Sequence, residues 1–105
     1  MTIKIEVVRS EDPGVLVLKV EGDVDMDSSP ALREQIAKEL KGTSCLKVDL
    51  SSVAYLDSSG IAVLIQGHKS AQKTDVAYSL LNPSSQVKAV IELAQLNQLF
   101  TIEES

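Results

Sequence analysis

The chain has 105 residues, enough for one domain that we take to span residues 1–105, and its formal net charge is −5. It has no run of Lys or Arg, which argues against nucleic acid as a partner because phosphate neutralisation supplies most of that affinity. The single Cys45 excludes an internal disulfide, and no signal peptide or apolar stretch of about 18 residues is present. We therefore expect a cytoplasmic protein without membrane insertion.

The first part of the chain predicts a hairpin and then a helix. Apolar and other residues alternate over 3–8, and an apolar run covers 15–20, with Pro and Gly between them in a turn. Residues 21–27 are rich in Asp and Glu and predict an acidic loop. An amphipathic helix follows, with Ser29 as its N-cap and a proline at the first helical position, and it ends near Gly42.

Strands and helices alternate in the rest of the chain. Residues 46–50 predict a strand in the interior of the sheet, 58–73 a helix, and 76–81 another strand. A third helix is expected to begin near Ser84, and a short last strand is compatible with the end of the chain. The last apolar residues are expected to close the core: Leu96, Leu99, Phe100 and Ile102. This order predicts an α/β fold, with a mixed sheet of four or five strands packed with three or more helices.

The residues that commonly perform catalysis or bind metals are scarce. His68 is the one histidine, it falls on the apolar face of a predicted helix, and no phosphate-binding glycine motif is present. Asp23, Asp25 and Asp27 have the spacing that begins a calcium loop, but Ser28 stands where that loop needs glycine. A solvated acidic loop before a helix is the favoured interpretation. We predict no enzyme activity, no catalytic residue, no metal site and no cofactor.

The strongest local signal is Asp57-Ser58-Ser59-Gly60, which stands where a strand has ended and a helix begins. The first turn of a helix presents free backbone N–H groups and the positive end of the macrodipole. A phosphoryl group on a serine there would find hydrogen-bond donors. On local physics alone, however, helix capping is the more common use of such a sequence.

A resemblance to a known family extends that local signal. Residues 48–64, centred on the Asp-Ser-Ser-Gly sequence, resemble the signature of the bacterial anti-sigma factor antagonists, which are STAS domains. Residues 20–25 look like the glycine-acid-apolar-aspartate loop that precedes the first helix of that family. Residues 82–100 look like its C-terminal helix and closing strand. The likeness covers nearly the whole chain in the same order.

The resemblance implies a phosphorylation switch. In the family, the serine directly after the motif aspartate is phosphorylated by a partner that is both a serine kinase and an anti-sigma factor, and a phosphatase reverses the modification. That serine is Ser58 here, with Ser59 as the alternative. The unphosphorylated form binds the partner. The residues that the resemblance implies for partner binding are Gly22, Asp23, Asp25, Asp57, Ser58, Ser59 and Gly60.

The same fold has a second use, which gives the alternative interpretation. It occurs as the cytoplasmic subunit of a lipid-trafficking ABC transporter, where one serine of the motif is often replaced. The presence of both Ser58 and Ser59 favours the phosphorylation switch, although fold alone does not decide function.

Overall fold

The computed structural model describes residues 3–104, which form one five-stranded sheet and three helices. Across the sheet the strands follow in chain order, with β1 antiparallel to β2 and the other neighbouring strands parallel. The predicted mixed α/β fold is confirmed. The elements are β1 Ile3–Arg9, β2 Val15–Val24, α1 Ser29–Leu40, β3 Cys45–Leu56, α2 Ser58–Lys73, β4 Ala77–Leu81, α3 Ser85–Leu93 and β5 Ile102–Glu103.

The helices cover one face of this sheet. Because β2 to β5 advance in one direction, right-handed crossovers place all three connecting helices on the same side. Leu18, Val48 and Leu80 point to that side and are fully buried, which confirms that β3 is an interior strand. Lys19 and Asp49, one residue further along their strands, point to the opposite face, which we call the open face. None of the helices within residues 3–104 has the length and hydropathy of a bilayer-crossing segment.

Two strands run further than the sequence predicted. β2 extends to Val24 and β3 to Leu56, so the first half of the predicted acidic loop 21–27 is strand. Gly22 and Asp23 therefore lie in β2 and not in a loop. The physical reason is that β2 and β3 remain paired past the apolar run, with two register shifts that absorb the irregular alternation of the sequence.

The helix starts agree closely with the prediction, with one correction. α1 begins at Ser29, but Ser28 occupies the N-cap position and its hydroxyl is directed to the preceding turn, so the predicted N-cap is wrong by one residue. α2 begins at Ser58, and Ser84 caps α3. At the end of the chain Leu99 is 40% exposed and does not close the core as expected.

A glycine in the middle of α2 provides a stability prediction. A Cβ at Gly67 would lie 2.6 Å from the hydroxyl oxygen of Tyr78 and 3.1 Å from Cγ2 of Ile36, and that hydroxyl donates to the carbonyl of Leu64 inside the core. We expect Gly67→Val to lower the free energy of unfolding by about 3 kcal/mol, since overpacking forces this contact apart. Urea denaturation measures the change.

Gly42 supplies the matched control for that substitution. It is exposed, and a Cβ there meets nothing within 4 Å. Gly42→Val should change the free energy of unfolding by less than about 0.5 kcal/mol. Equal losses in the two variants would mean that the close approach of α2 to Tyr78 has no energetic role.

Candidate functional site

The carboxyl ends of β2 and β3 lie side by side at one end of the sheet, and α2 begins there. Asp23 lies opposite Tyr55 in the paired strands. The backbone N–H of Asp57 donates to the carbonyl oxygen of Val24 at 3.2 Å, which fixes the start of α2 to the end of β2. Ser58 is the next residue and the first of the helix. The fold thus places Asp23, Asp57 and Ser58 at the same end of the sheet.

Asp57 is the N-cap of α2. Its carboxylate Oδ1 accepts hydrogen bonds from the backbone N–H of Ser59 at 2.9 Å, the backbone N–H of Gly60 at 3.2 Å and the hydroxyl of Ser59 at 2.5 Å. The hydroxyl of Ser59 is the largest cause that lowers the pKa of Asp57, and the two N–H groups add to it. The carboxylate therefore stays ionised and occupies the donors of the helix N-terminus.

The two adjacent serines differ in their surroundings. Ser59 is half-buried and its hydroxyl is held by the carboxylate of Asp57. Ser58 is exposed, and within the described part of the chain its hydroxyl takes no hydrogen bond. The hydroxyl of Ser59 thus has a structural role, whereas the hydroxyl of Ser58 is accessible to another protein.

The turn after β2 is held by its own side chains. The carboxylate of Asp25 accepts from the backbone N–H groups of Asp27 and Ser28, each at 3.0 Å, and the hydroxyl of Ser28 lies 3.1 Å from the same oxygen. The backbone N–H of Ser28 is the main cause that lowers the pKa of Asp25. Asp25 thus fixes the shape of the turn that follows Asp23 and Val24.

Two glycines of the site act through packing and backbone shape. A Cβ at Gly60 would run into the side chain of Leu56 and lie 2.9 Å from Cγ1 of Val24, so glycine lets the first turn of α2 approach the sheet. Gly22 has φ of +109°, a conformation that side chains disfavour, beside a register shift between β2 and β3. Gly60 thus lets α2 pack against the sheet, and Gly22 lets β2 remain paired through the register shift.

The comparisons with known proteins give the family of the chain. The family model of the STAS domain matches residues 6–105. The chain belongs to the STAS domain family. A protein named anti-sigma-B factor antagonist from Bacillus subtilis strain 168 is 26% identical to this STAS domain over 102 residues, which cover 97% of this chain and 92% of that protein.

Solved structures give the same result for the fold. An anti-sigma factor antagonist from Mycobacterium paratuberculosis has a TM-score of 0.86 and 26% identity, and the alignment covers 96% of this STAS domain and 85% of that chain. The anti-sigma factor antagonist SpoIIAA in its unphosphorylated form has a TM-score of 0.80, with 97% of this chain and 88% of that chain covered. Its 16% identity makes this second likeness one of fold alone.

Two exposed apolar residues beside the site were not predicted from the sequence. Met26 is 77% exposed in the turn after β2, and Tyr55 is 52% exposed opposite Asp23 in β3. Single exposed apolar side chains are common on protein surfaces, and these two add apolar contact area for a partner that docks at this site. The available signals were a methionine within an acidic segment and a tyrosine directly before the buried Leu56. This STAS domain thus presents one exposed apolar side chain in the turn after β2 and one near the end of β3.

The cap of α2 gives a pH prediction. Because the folded-state pKa of Asp57 is lowered, its contribution to stability is present above the unfolded pKa near ~3.9 and is lost as pH falls through the folded value. We expect Asp57→Ala to lower the free energy of unfolding by about 1 kcal/mol at neutral pH. The difference from wild type should shrink below about pH 4, as measured by urea denaturation across pH.

Asp27 is the matched control, because it is exposed and only two residues from Asp25 in the same acidic turn. Asp27→Ala should leave the free energy of unfolding within about 0.5 kcal/mol of wild type. A loss in Asp57→Ala that keeps its full size down to about pH 2 would contradict a role for the ionised carboxylate.

Proposed function

We propose that this STAS domain is an anti-sigma factor antagonist that binds an anti-sigma factor with serine-kinase activity while Ser58 is unmodified. Phosphorylation of Ser58 by that partner releases it, and a phosphatase restores the binding form. The names of its relatives and the solved antagonists with the same fold support this proposal. A cytoplasmic location follows from the proposal, because the sigma factor and ATP are there. The protein is a substrate in this scheme and not an enzyme.

The observation that carries the proposal is the difference between the two serines. A kinase needs a hydroxyl that it can reach and orient, and Ser58 is exposed at the start of α2. Ser59 is half-buried, and its hydrogen bond to Asp57 fixes the orientation of its hydroxyl, so a kinase has less access to it and less freedom to orient it. In the transfer, the oxygen of Ser58 forms a bond to the γ-phosphorus of ATP, the bond to the β-phosphate oxygen breaks, and ADP leaves. The hydroxyl proton passes to a base of the kinase.

The electrostatic consequence of this modification is local. A phosphate carries about −1.5 to −2 charges at neutral pH. The carboxylate of Asp57 already accepts from the N–H groups of Ser59 and Gly60, so the phosphate finds the donors of the helix N-terminus occupied by a like charge. It therefore remains directed to solvent on the surface of the domain. The domain needs no refolding to accept it, whereas a partner surface that fits a neutral hydroxyl is repelled.

The partner surface in this proposal surrounds Ser58. Asp23 and Asp25 lie on the strand end and turn beside it, and the exposed Met26 and Tyr55 add apolar contact area. Such a surface, which combines exposed apolar residues with the carboxylates of Asp23, Asp25 and Asp57, fits a partner that presents basic and apolar residues.

Incubation with a candidate kinase tests the proposal. Candidate anti-sigma factors with kinase activity from the same organism are mixed with the protein, with and without MgATP. Gel filtration measures complex formation, and intact mass with peptide mapping locates the phosphate. We expect a complex that is lost when ATP is added, together with one phosphate on Ser58. Stable binding to the subunits of an ABC transporter, with no phosphate from any kinase, would instead favour the transporter-subunit alternative.

A further inference from the structure

The outer edge of β1 carries backbone groups that the sheet does not use. The backbone N–H of Ser10 donates to the carbonyl oxygen of Val15 at 3.1 Å, and this bond shows which residues of the antiparallel hairpin are joined by hydrogen bonds. Because hydrogen-bonded pairs alternate along a strand, the even-numbered residues of β1 bond to β2. The N–H and C=O groups of the odd-numbered residues therefore point outward: Ile3, Ile5, Val7 and Arg9. Within residues 3–104 none of these four residues takes a backbone hydrogen bond from outside the hairpin.

This edge has few of the features that normally prevent strand pairing. β1 has seven residues, contains neither proline nor a bulge, and pairs with β2 in unbroken register. Val7 is 40% exposed on the helix side of the strand. The charged residues Lys4 and Glu6 project from the open face, where they leave the backbone edge accessible.

We propose that a second copy of the chain pairs with this edge, β1 antiparallel to β1, centred on Ile5. The outward groups of Ile5 then bond to those of Ile5 of the second copy, and those of Ile3 bond to those of Val7 of the second copy, and the reverse. In this register each residue with outward groups faces another residue with outward groups, as the hydrogen-bonded pairs of an antiparallel ladder require. Ile3 and Val7 also bring apolar side chains together on the helix side.

The charges on the open face select this register. With Ile5 at the centre, Lys4 lies opposite Glu6 of the second copy, twice by symmetry. A shift of two residues in one direction places Lys4 opposite Lys4, and in the other direction Glu6 opposite Glu6. Since like charges directly opposite each other destabilise a pair of strands, the two neighbouring registers with the same backbone bonding are disfavoured.

The same arrangement extends a charge pattern that each copy already has. Within one copy Lys4 lies opposite Glu21, and Glu6 lies opposite Lys19. Across the joined strands the order becomes Glu21, Lys4, Glu6 of the second copy and Lys19 of the second copy, so the sign alternates over four strands. The row on the other side of the two-fold axis repeats the pattern in reverse. A second copy of the chain matches this charge pattern by symmetry, whereas an unrelated protein would need a separate set of complementary charges.

The two-fold axis of this dimer stands perpendicular to the sheet, so the helices of both copies lie on one side of a continuous ten-stranded sheet. The end of the sheet that carries Ser58 points in opposite directions in the two copies, so both Ser58 side chains remain accessible to a partner. One strand per copy makes a small interface, so we expect a weak dimer, with Kd in the range of about 10–100 μM.

Charge reversal with mixing tests the register directly. Lys4→Glu places two glutamate pairs in the dimer, and Glu6→Lys places two lysine pairs, so each variant alone should dimerise at least about tenfold more weakly than wild type. An equimolar mixture restores both opposite-charge pairs and should form a heterodimer with affinity near that of wild type. Sedimentation equilibrium measures the affinities, and native mass spectrometry distinguishes the heterodimer. Lys69→Glu, an exposed charge reversal on α2, should dimerise as wild type does.

A backbone variant tests the same interface independently of charge. Ile5→Pro removes an N–H that β2 does not use, so the fold should survive, as far-ultraviolet circular dichroism checks, while the two central bonds of the dimer are lost. We expect this variant to be monomeric. A wild-type protein that is monomeric at about 1 mM would overturn the proposal, since a Kd in the expected range predicts mostly dimer there. A wild-type dimer that Ile5→Pro leaves intact, or mixed charge variants that do not associate, would do the same.

Discussion

With a kinase partner and MgATP, Ser58→Ala should incorporate no phosphate, whereas Ser59→Ala should be phosphorylated to the same final level as wild type. Of the two serines of the motif, only Ser58 is exposed and has no hydrogen bond to its hydroxyl in the described part of the chain, whereas the hydroxyl of Ser59 is held by Asp57. Ser59→Ala removes the hydrogen bond to Asp57, which costs about 1 kcal/mol of stability, so the assay is run well below the midpoint of thermal unfolding. Phosphate incorporation over time, followed by intact mass, makes the measurement.

Two controls accompany this comparison. Circular dichroism shows whether both variants remain folded, and binding to the kinase without ATP shows whether each still meets its enzyme. The opposite pattern, phosphate on Ser58→Ala and none on Ser59→Ala, would move the acceptor to Ser59, the alternative that the sequence left open. Such a result would require the kinase to reach a half-buried hydroxyl whose orientation is fixed by the carboxylate of Asp57.

Much of the fold could be predicted because the apolar pattern is regular where the core is continuous. The helix from Ser58 to Lys73 and the strand within 76–81 came out within one residue, since buried positions in them recur at constant spacing. β2 and β3 extend beyond their regular apolar runs because two register shifts let the backbone pairing continue where the alternation of the sequence breaks. A single-sequence pattern does not register such pairing, and for that reason Gly22 and Asp23 were placed in a loop.

The sequence predicted where the site lies, at the start of α2, but it did not distinguish the roles of Ser58 and Ser59. Asp57-Ser58-Ser59-Gly60 reads as a cap from the sequence, and the carboxylate of Asp57 is indeed a cap. What separates the serines is which hydroxyl the cap holds, and this depends on the direction in which the chain enters α2. Sequence spacing contains no information on that direction. The exposure of Tyr55 likewise depends on the length of β3, which was underestimated.

Ser58→Glu should bind the kinase partner at least about 100-fold more weakly than wild type. A carboxylate at this position lies next to Asp57, whose own carboxylate already takes the donors of the helix N-terminus, and a desolvated like charge at an interface costs several kcal/mol. Each ~1.4 kcal/mol is a tenfold loss of affinity. Calorimetric titration of the partner without ATP measures the affinity, and Ser58→Ala should bind within about threefold of wild type.

The control for added charge is Ser70→Glu, which changes another exposed serine of α2. Residue 70 lies about 18 Å along the helix from residue 58, so its charge should leave the affinity unchanged. If Ser58→Glu binds as tightly as Ser58→Ala, the charge at this position does not control binding and the phosphorylation switch is wrong. If both Ser58→Glu and Ser70→Glu bind weakly, the partner responds to the net charge of the domain, which is already −5, and not to a charge beside Asp57. A loss confined to Ser58→Glu leaves the local repulsion at the start of α2 as the cause.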